Sequence, residues 1–345
     1  MISFTCDYSE GAHPAILQRL TETNMQQEPG YGSDSFTCSA IRRIREATGC
    51  PKADVFLLTG GTQTNAVVID SLLQKYEGVI AVETGHVAVH EAGAIEAAGH
   101  KVLSLPQHEG KMDARELARL LEHFYADPTW PHMVIPGMVY ISYPTEYGTL
   151  YTKEELRALR DVCKTYRLPL YIDGARLAYG LAAADMTLGE LASLCDVFYI
   201  GGTKAGALCG EAVVFPQGNA PAHFFTLQKQ HGALTAKGRL TGLQFDTLFT
   251  NGLYFQLGQH GVEAARRLKH LFAKCHIPLF IDSPTNQQFP ILTAVQRQAL
   301  QDKVLFEVWD ERPNGTAVCR FATSWATPDE HISLLEQLLI SCQTS

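Results

Sequence analysis

No stretch of this 345-residue chain approaches the roughly 20 apolar residues that a bilayer-crossing helix takes, so no membrane span is read in it. A basic block is also missing. Formal net charge is −8, which sets nucleic acid and acidic membrane surfaces aside as partners. The opening Met1-Ile-Ser-Phe-Thr-Cys-Asp7 has neither a positive n-region nor an apolar h-region, so no signal peptide is read there. The nine Cys are odd in number and form no C-x-x-C pair, which fits a reducing compartment better than a disulfide or zinc framework. Internal repeats, low-complexity tracts and flexible linkers are absent as well. These absences leave a soluble, cytoplasmic protein as the expectation. What the chain does hold is 46% hydrophobic and 19% charged residues, enough apolar material for a large core in one domain or two unequal ones.

Short apolar runs alternate with helical patterns from residue 55 onward. Strands are expected at Val55–Leu58, Val79–Val82, Lys101–Leu105, Met133–Ser142 (interrupted by Pro136-Gly137) and Leu170–Asp173. Between them the apolar spacing predicts helices over 66–76, 88–98, 113–126 and 153–166. Strands alternating with helices argue a mainly parallel sheet flanked by helices, an α/β fold. Glu211–Phe215 reads as a strand turning back across that sheet. Residues 222–260 are helical in pattern, and a helix over 261–274 follows. Strands at 277–281, 288–292, 306–309 and 317–322, with a last helix over 328–342, then suggest a smaller α+β domain. The expected division is 1–250 and 251–345.

The most informative stretch is Leu170 to Gly210. Leu170-Tyr-Ile-Asp-Gly-Ala-Arg176 and Phe198-Tyr-Ile-Gly-Gly-Thr-Lys-Ala-Gly206 each close an apolar run with a polar cluster, as buried parallel strands do at a site-bearing edge. One strand end offers Asp173 and Arg176; the other offers Lys204 in a Gly-rich loop. A lysine able to form a Schiff base and an Asp able to pair with a protonated pyridine nitrogen are the two groups that pyridoxal 5'-phosphate (PLP) chemistry requires. Thr59-Gly-Gly-Thr-Gln-Thr-Asn65 adds a strand–turn–helix arrangement suited to a phosphate, though it is neither a Walker A loop nor a GxGxxG fingerprint. Its plainer reading is a capped helix, since Thr62, Thr64 and Asn65 are all good caps. A surface loop pair is likewise the plainer reading of Asp173 with Arg176.

Taken in order, these stretches resemble the threonine aldolase and aromatic amino acid β-eliminating lyase family of fold-type-I PLP-dependent enzymes. The matching segments are Asp7-Tyr-Ser-Glu-Gly-Ala-His-Pro14, Gly30-Tyr-Gly-Ser-Asp34, Thr59–Asn65, Gly85-His86 with Glu91-Ala-Gly93, Asp173–Arg176, Gly202-Thr-Lys204 and Cys319-Arg-Phe-Ala-Thr323. The resemblance implies that Lys204 carries PLP, that Asp173 pairs with its ring nitrogen, that His86 stacks on the ring and that Gly61 and Thr62 bind the phosphate. It implies that Arg176 and Arg320 hold the substrate carboxylate, and that Tyr31 belongs to a site at a subunit boundary. Arg239 would reach a neighbouring subunit's phosphate, in a homodimer or homotetramer with shared sites. Arg320, inside an apolar strand, needs a fixed anion in any case; a substrate carboxylate or a structural Asp or Glu would serve.

Two positions depart from the family pattern. Cys6 stands where many members carry Ser, and Glu146 stands where they place a His facing the substrate hydroxyl. The expected activity is retro-aldol cleavage of a β-hydroxy-α-amino acid of the L-threonine or L-allo-threonine type, with Glu146 a candidate base. A β-eliminating lyase, a phenylserine-type aldolase, and a non-enzymatic phosphate-ligand-binding protein using the Gly60-Gly61 loop stand as alternatives. No metal is implied.

Overall fold

A computed structural model describes residues 1–341. After a two-residue strand at Ile2–Ser3 (β1), seven strands build the main sheet. They are Asp54–Leu58 (β2), Glu77–Val82 (β3), Lys101–Leu105 (β4), Ile135–Ser142 (β5), Leu170–Asp173 (β6), Val197–Gly201 (β7) and Glu211–Phe215 (β8). Their order across the sheet is β2-β8-β7-β6-β5-β3-β4. Pairings are parallel throughout except those of β8, which runs antiparallel to both β2 and β7. The reversed strand expected at 211–215 is therefore present, and the fold is the expected α/β type with a mainly parallel sheet.

Both faces of the sheet are covered, which is why β6, β7 and β8 carry no exposed residue. One face packs Ile80, Ile141, Ile172 and Phe198 against helices Ser35–Thr48, Lys153–Tyr166 and Arg239–Leu248. The other packs Val79, Tyr171, Tyr199 and Val213 against the helix Gly61–Leu72. A further cluster unites Ile2 and Phe4 with Leu268 and Phe272 of the long helix Leu253–Lys274, Phe321 and Leu335. The N-terminal segment thus completes a C-terminal core: β1 pairs in parallel with Val304–Leu305 (β11). Gln287–Gln288 (β9), Ile291–Leu292 (β10) and Glu307–Glu311 (β12) all border the central strand Ala317–Ala322 (β13).

Several local expectations are corrected. The helix expected over 66–76 begins at Gly61, so the Gly-rich turn is its first turn. The helix over 88–98 is two short pieces, His86–Val89 and Ala94–Ala97, because Ala92 takes φ 50° between them. Pro136-Gly137 does not interrupt its strand. Both residues lie within β5, and the irregularity is absorbed as a register shift against β3. Residues 277–281 form no strand; only Leu279 bridges to Pro290, since Pro278 and Pro290 both lack the N–H a ladder needs. The same proline splits 288–292 into β9 and β10. The helical region 222–260 resolves into Phe224–Gln230, Arg239–Leu248 and the start of Leu253–Lys274. Residue 342, the end expected for the last helix, lies outside the described residues.

Candidate active site

Because β8 alone is reversed, its first residue lies at the same sheet edge as the last residues of β2 and β7: Glu211 faces Leu58 and Gly201. The loops after β2, β3, β5, β6 and β7 meet there around a cavity of about 320 Å³. Gly61, Thr62, His86, Glu146, Asp173, Arg176 and Lys204 all line it. The loops after β6 and β7 are held very close, Gly201 N–H donating to Gly174 O at 2.9 Å. A Cβ at Gly174 would fall 1.9 Å from the carbonyl oxygen of Tyr199, so only glycine brings Asp173 and Lys204 this near to one another.

Asp173 is buried, yet its carboxyl stays below the usual range. Burial alone would raise it, but the charge of His86 and hydrogen bonds from Tyr140, Tyr199 and Asn65 favour the anion. Tyr140 Oη donates to Oδ2 at 2.6 Å, Asn65 Nδ2 donates to the same oxygen at 3.0 Å, and Ala175 N–H donates to Oδ1 at 2.9 Å. This is a fixed buried negative charge. Lys204 is the counterpart: burial, then Arg176, lower its ammonium below the ordinary lysine range, and Asp7, Asp173 and Glu211 only partly offset them. Its amine is accordingly closer to the neutral, nucleophilic form. Glu211 accepts from Thr203 Oγ1 at 2.8 Å and from Gly202 N–H at 3.1 Å, and burial pushes it up to about 8.

The helix Gly61–Leu72 opens at the cavity without a side-chain cap. Its first intrahelical bond is Thr64 N–H to Gly60 O, which leaves the N–H groups of Gly61, Thr62 and Gln63 free for an anion. None of the expected Thr or Asn caps closes it. His86 sits at the head of the loop after β3, its Nδ1 2.7 Å from Glu91 Oε1. The break at Ala92 folds Glu91 back to this position, where it also accepts from Asn65 Nδ2 at 3.0 Å.

Glu146 is half-buried in the loop after β5. Ser142 Oγ donates to its Oε1 at 2.6 Å and the His86 backbone N–H donates to the same atom at 2.9 Å. Its Oε2 is buried without a partner. Burial raises its pKa; the Ser142 hydrogen bond opposes this and Asp173 adds to it. No arginine forms an ion pair with it among the described residues.

Both candidate carboxylate-binding arginines already hold carboxylates. Arg176 grips the buried Asp7 through Nε at 2.7 Å and Nη2 at 3.1 Å, and Asn286 Nδ2 donates to the same Asp7 at 2.9 Å. Arg320 pairs with Glu307, reaches Gln287 Oε1 at 3.2 Å and Thr5 O at 3.3 Å, and lies over the Trp309 ring. A structural glutamate therefore supplies its anion in this chain. Arg320 is not part of the cavity's lining.

Tyr31 and Arg239 lie away from this chain's cavity. Tyr31, 47% exposed under Lys229 Nζ, lines a separate cleft with Phe225 and Gly238. Arg239 donates to the carbonyls of Gln26 at 2.5 Å and Thr23 at 2.8 Å, over the Phe36 ring. Asp7, Tyr140, Ser142 and Glu211 were not singled out from sequence as site residues. Glu211 opens a strand right after Gly210, a position at the site edge once β8 is known to be reversed. Ser142 and Tyr140 read only as strand residues.

The beta-eliminating lyase family model matches residues 4–284, most of the chain. The chain belongs to this family. Among the relatives, the low specificity L-threonine aldolase of Pseudomonas sp. (strain NCIMB 10558) is 30% identical over 339 residues, 95% of this chain and 94% of its own. A threonine aldolase structure from Leishmania major aligns with TM-score 0.95 and 41% identity over 99% of each chain. An aspartate aminotransferase of Thermus thermophilus shares the fold at TM-score 0.70 and 15% identity, covering 99% of this chain and 96% of that one. Motifs spread from Asp7 to Lys204, the Gly30–Asp34 segment excepted, converge on one cavity.

Proposed function

We propose that the chain is a PLP-dependent aldehyde-lyase that cleaves the Cα–Cβ bond of a β-hydroxy-α-amino acid of the L-threonine or L-allo-threonine type to glycine and an aldehyde. The observation that carries this reading is the placement of Lys204 and Asp173 on neighbouring strand ends in one cavity, with an uncapped helix N-terminus beside them. That donor set fits PLP. Lys204 has an amine to link the aldehyde carbon, Asp173 a charge for the ring nitrogen, and Gly61 and Thr62 free N–H groups for the phosphate. When bound, PLP supplies an electron-accepting ring that stabilises the charge left on Cα.

The chain's own groups do the rest. Asp173 keeps a proton on the ring nitrogen because its anion is held by Tyr140 and Asn65. His86, its ring fixed by Glu91, supplies a flat face above the site. Glu146 accepts the β-hydroxyl proton at Oε2, the oxygen that no protein donor occupies. Arg176 orients the substrate carboxylate with its remaining donor capacity beside Asp7; Arg320 does so by exchanging Glu307 for the substrate. We further propose a cytoplasmic homodimer or homotetramer, and a division of the chain near residue 250.

The test is chemical. Borohydride reduction followed by digestion should place the pyridoxyl label on Lys204, and Lys204→Ala should lose the visible absorbance with essentially all turnover. A label on any other lysine overturns the assignment. Release of glycine and aldehyde supports retro-aldol cleavage; pyruvate and ammonia would instead give the β-eliminating chemistry for which the family model is named.

A further inference from the structure

Two carboxylates of the site, the half-buried Glu146 and the buried Asp173, are each held by a hydroxyl, and the two hydroxyls touch. Ser142 Oγ donates to Glu146 Oε1 at 2.6 Å, Tyr140 Oη donates to Asp173 Oδ2 at 2.6 Å, and the two hydroxyl oxygens are 3.3 Å apart. Both side chains come from β5, at alternate positions on one face, so the strand itself sets their spacing. A hydroxyl carries a single hydrogen. While Glu146 is ionised, both hydrogens are spent on carboxylates and nothing bridges Ser142 to Tyr140.

We propose that Ser142 and Tyr140 are positioning residues that couple the charge on Glu146 to Asp173, so that proton capture at Glu146 tightens the hold on the Asp173 carboxylate. A proton arriving at Oε2 turns Oε1 into a neutral carbonyl oxygen, which the His86 backbone N–H still serves at 2.9 Å. A hydrogen bond to a neutral acceptor is about half as strong as one to a carboxylate. The Ser142 hydroxyl is then free to turn about its Cβ–Oγ bond toward Tyr140 Oη. Accepting that bond polarises the Tyr140 O–H and strengthens its donation to Asp173, as chained hydrogen bonds do in a low-dielectric interior. No heavy atom moves, and no proton leaves Glu146 along the chain.

Resting on the reading of Glu146 as base, the consequence is one of timing. Asp173 is held most firmly as an anion once the hydroxyl proton has been taken, which is when charge develops at Cα. Other charged or titratable groups face the pair: His86, Arg176 and the phenols of Tyr147 and Tyr151 around Glu146, and His86, Lys204, Glu211 and the phenols of Tyr171 and Tyr199 around Asp173, the phenols held neutral because burial raises them. They couple through space, and the test must leave them unchanged.

Ser142→Ala does so. With Asp side chains labelled in the carboxyl carbon and Asp173 assigned through Asp173→Asn, carbon NMR of the cofactor-free and cofactor-loaded protein follows Asp173 against pH. In the unmodified protein the Asp173 signal should move at the midpoint where Glu146 titrates. Ser142→Ala should lose most of that movement and raise the Glu146 midpoint, since the ionised form loses a donor; Ser142→Thr should restore both. Movement of Asp173 that persists in Ser142→Ala overturns the proposal and leaves only through-space coupling. The base assignment is judged separately by turnover of Glu146→Gln. Unimpaired turnover there removes Glu146 as base without touching the coupling that NMR reads.

Discussion

At the scale of single residues, Glu146 is a carboxyl with two donors on one oxygen and none on the other. Burial without an ion-pair partner raises its pKa, so it is a better base near neutral pH than a surface glutamate. The sign of the pH effect follows. Only a deprotonated carboxyl can accept a hydroxyl proton, so with Glu146 as the proposed base turnover should rise as pH climbs through its raised pKa. We predict that Glu146→Gln lowers kcat by about 10²-fold, leaves the cofactor absorbance intact and removes the acidic limb of the pH–rate profile. Near-normal turnover with that limb unchanged would assign the base elsewhere. The sequence pointed to Glu146, since it stands where the family places a His. It did not reveal that Arg176 and Arg320 come already paired with Asp7 and Glu307, residues 169 and 13 positions away. Pairings of that kind depend on how strands stack, which local pattern does not encode.

At the scale of elements, the sheet was legible and its irregularities were not. Apolar runs marked every strand of the main sheet, most plainly β6, β7 and β8, whose two faces are both buried. Proline and glycine misled in opposite directions. Pro278 and Pro290 break ladders as their missing N–H requires, while Pro136-Gly137 sits inside β5, where a register shift accommodates it. Gly137 has a packing reason: a Cβ there would lie 2.5 Å from Leu73 Cδ2 and 2.8 Å from Glu77 Cβ. We predict that Gly137→Ala destabilises the protein by about 1–3 kcal/mol, as overpacking a close contact does. Denaturant unfolding would register this as a lower midpoint, and an unchanged midpoint would show that Leu73 and the start of β3 shift at no cost. Because β5 carries Tyr140, Ser142 and the loop to Glu146, the same substitution should also lower turnover. The split of residues 88–98 into two helices has a comparable local cause at Ala92, and its result is the return of Glu91 to His86.

At the scale of the whole molecule, one chain does not use all the residues that the family resemblance assigns to a site. Tyr31 and Arg239 lie on segments outside the cavity, and Tyr31 leaves nearly half its surface to solvent. Arg239 is held in place by two backbone carbonyls and the Phe36 ring, an arrangement that presents a guanidinium from a fixed helix start. If it serves a neighbouring subunit's phosphate, each site draws Lys204 from one chain and Arg239 from another. Two inactive variants should then rescue each other. Arg239→Ala alone should bind cofactor weakly and turn over slowly; Lys204→Ala alone should be inactive. In co-assembled hybrids, one site pairs an intact Lys204 with its neighbour's intact Arg239, while the other site carries both lesions. Random assembly of dimers makes half of them hybrids with one competent site, so specific activity should approach roughly a quarter of the unmodified enzyme. Activity of the mixture equal to the average of the two variants measured separately would place Arg239 outside any shared site.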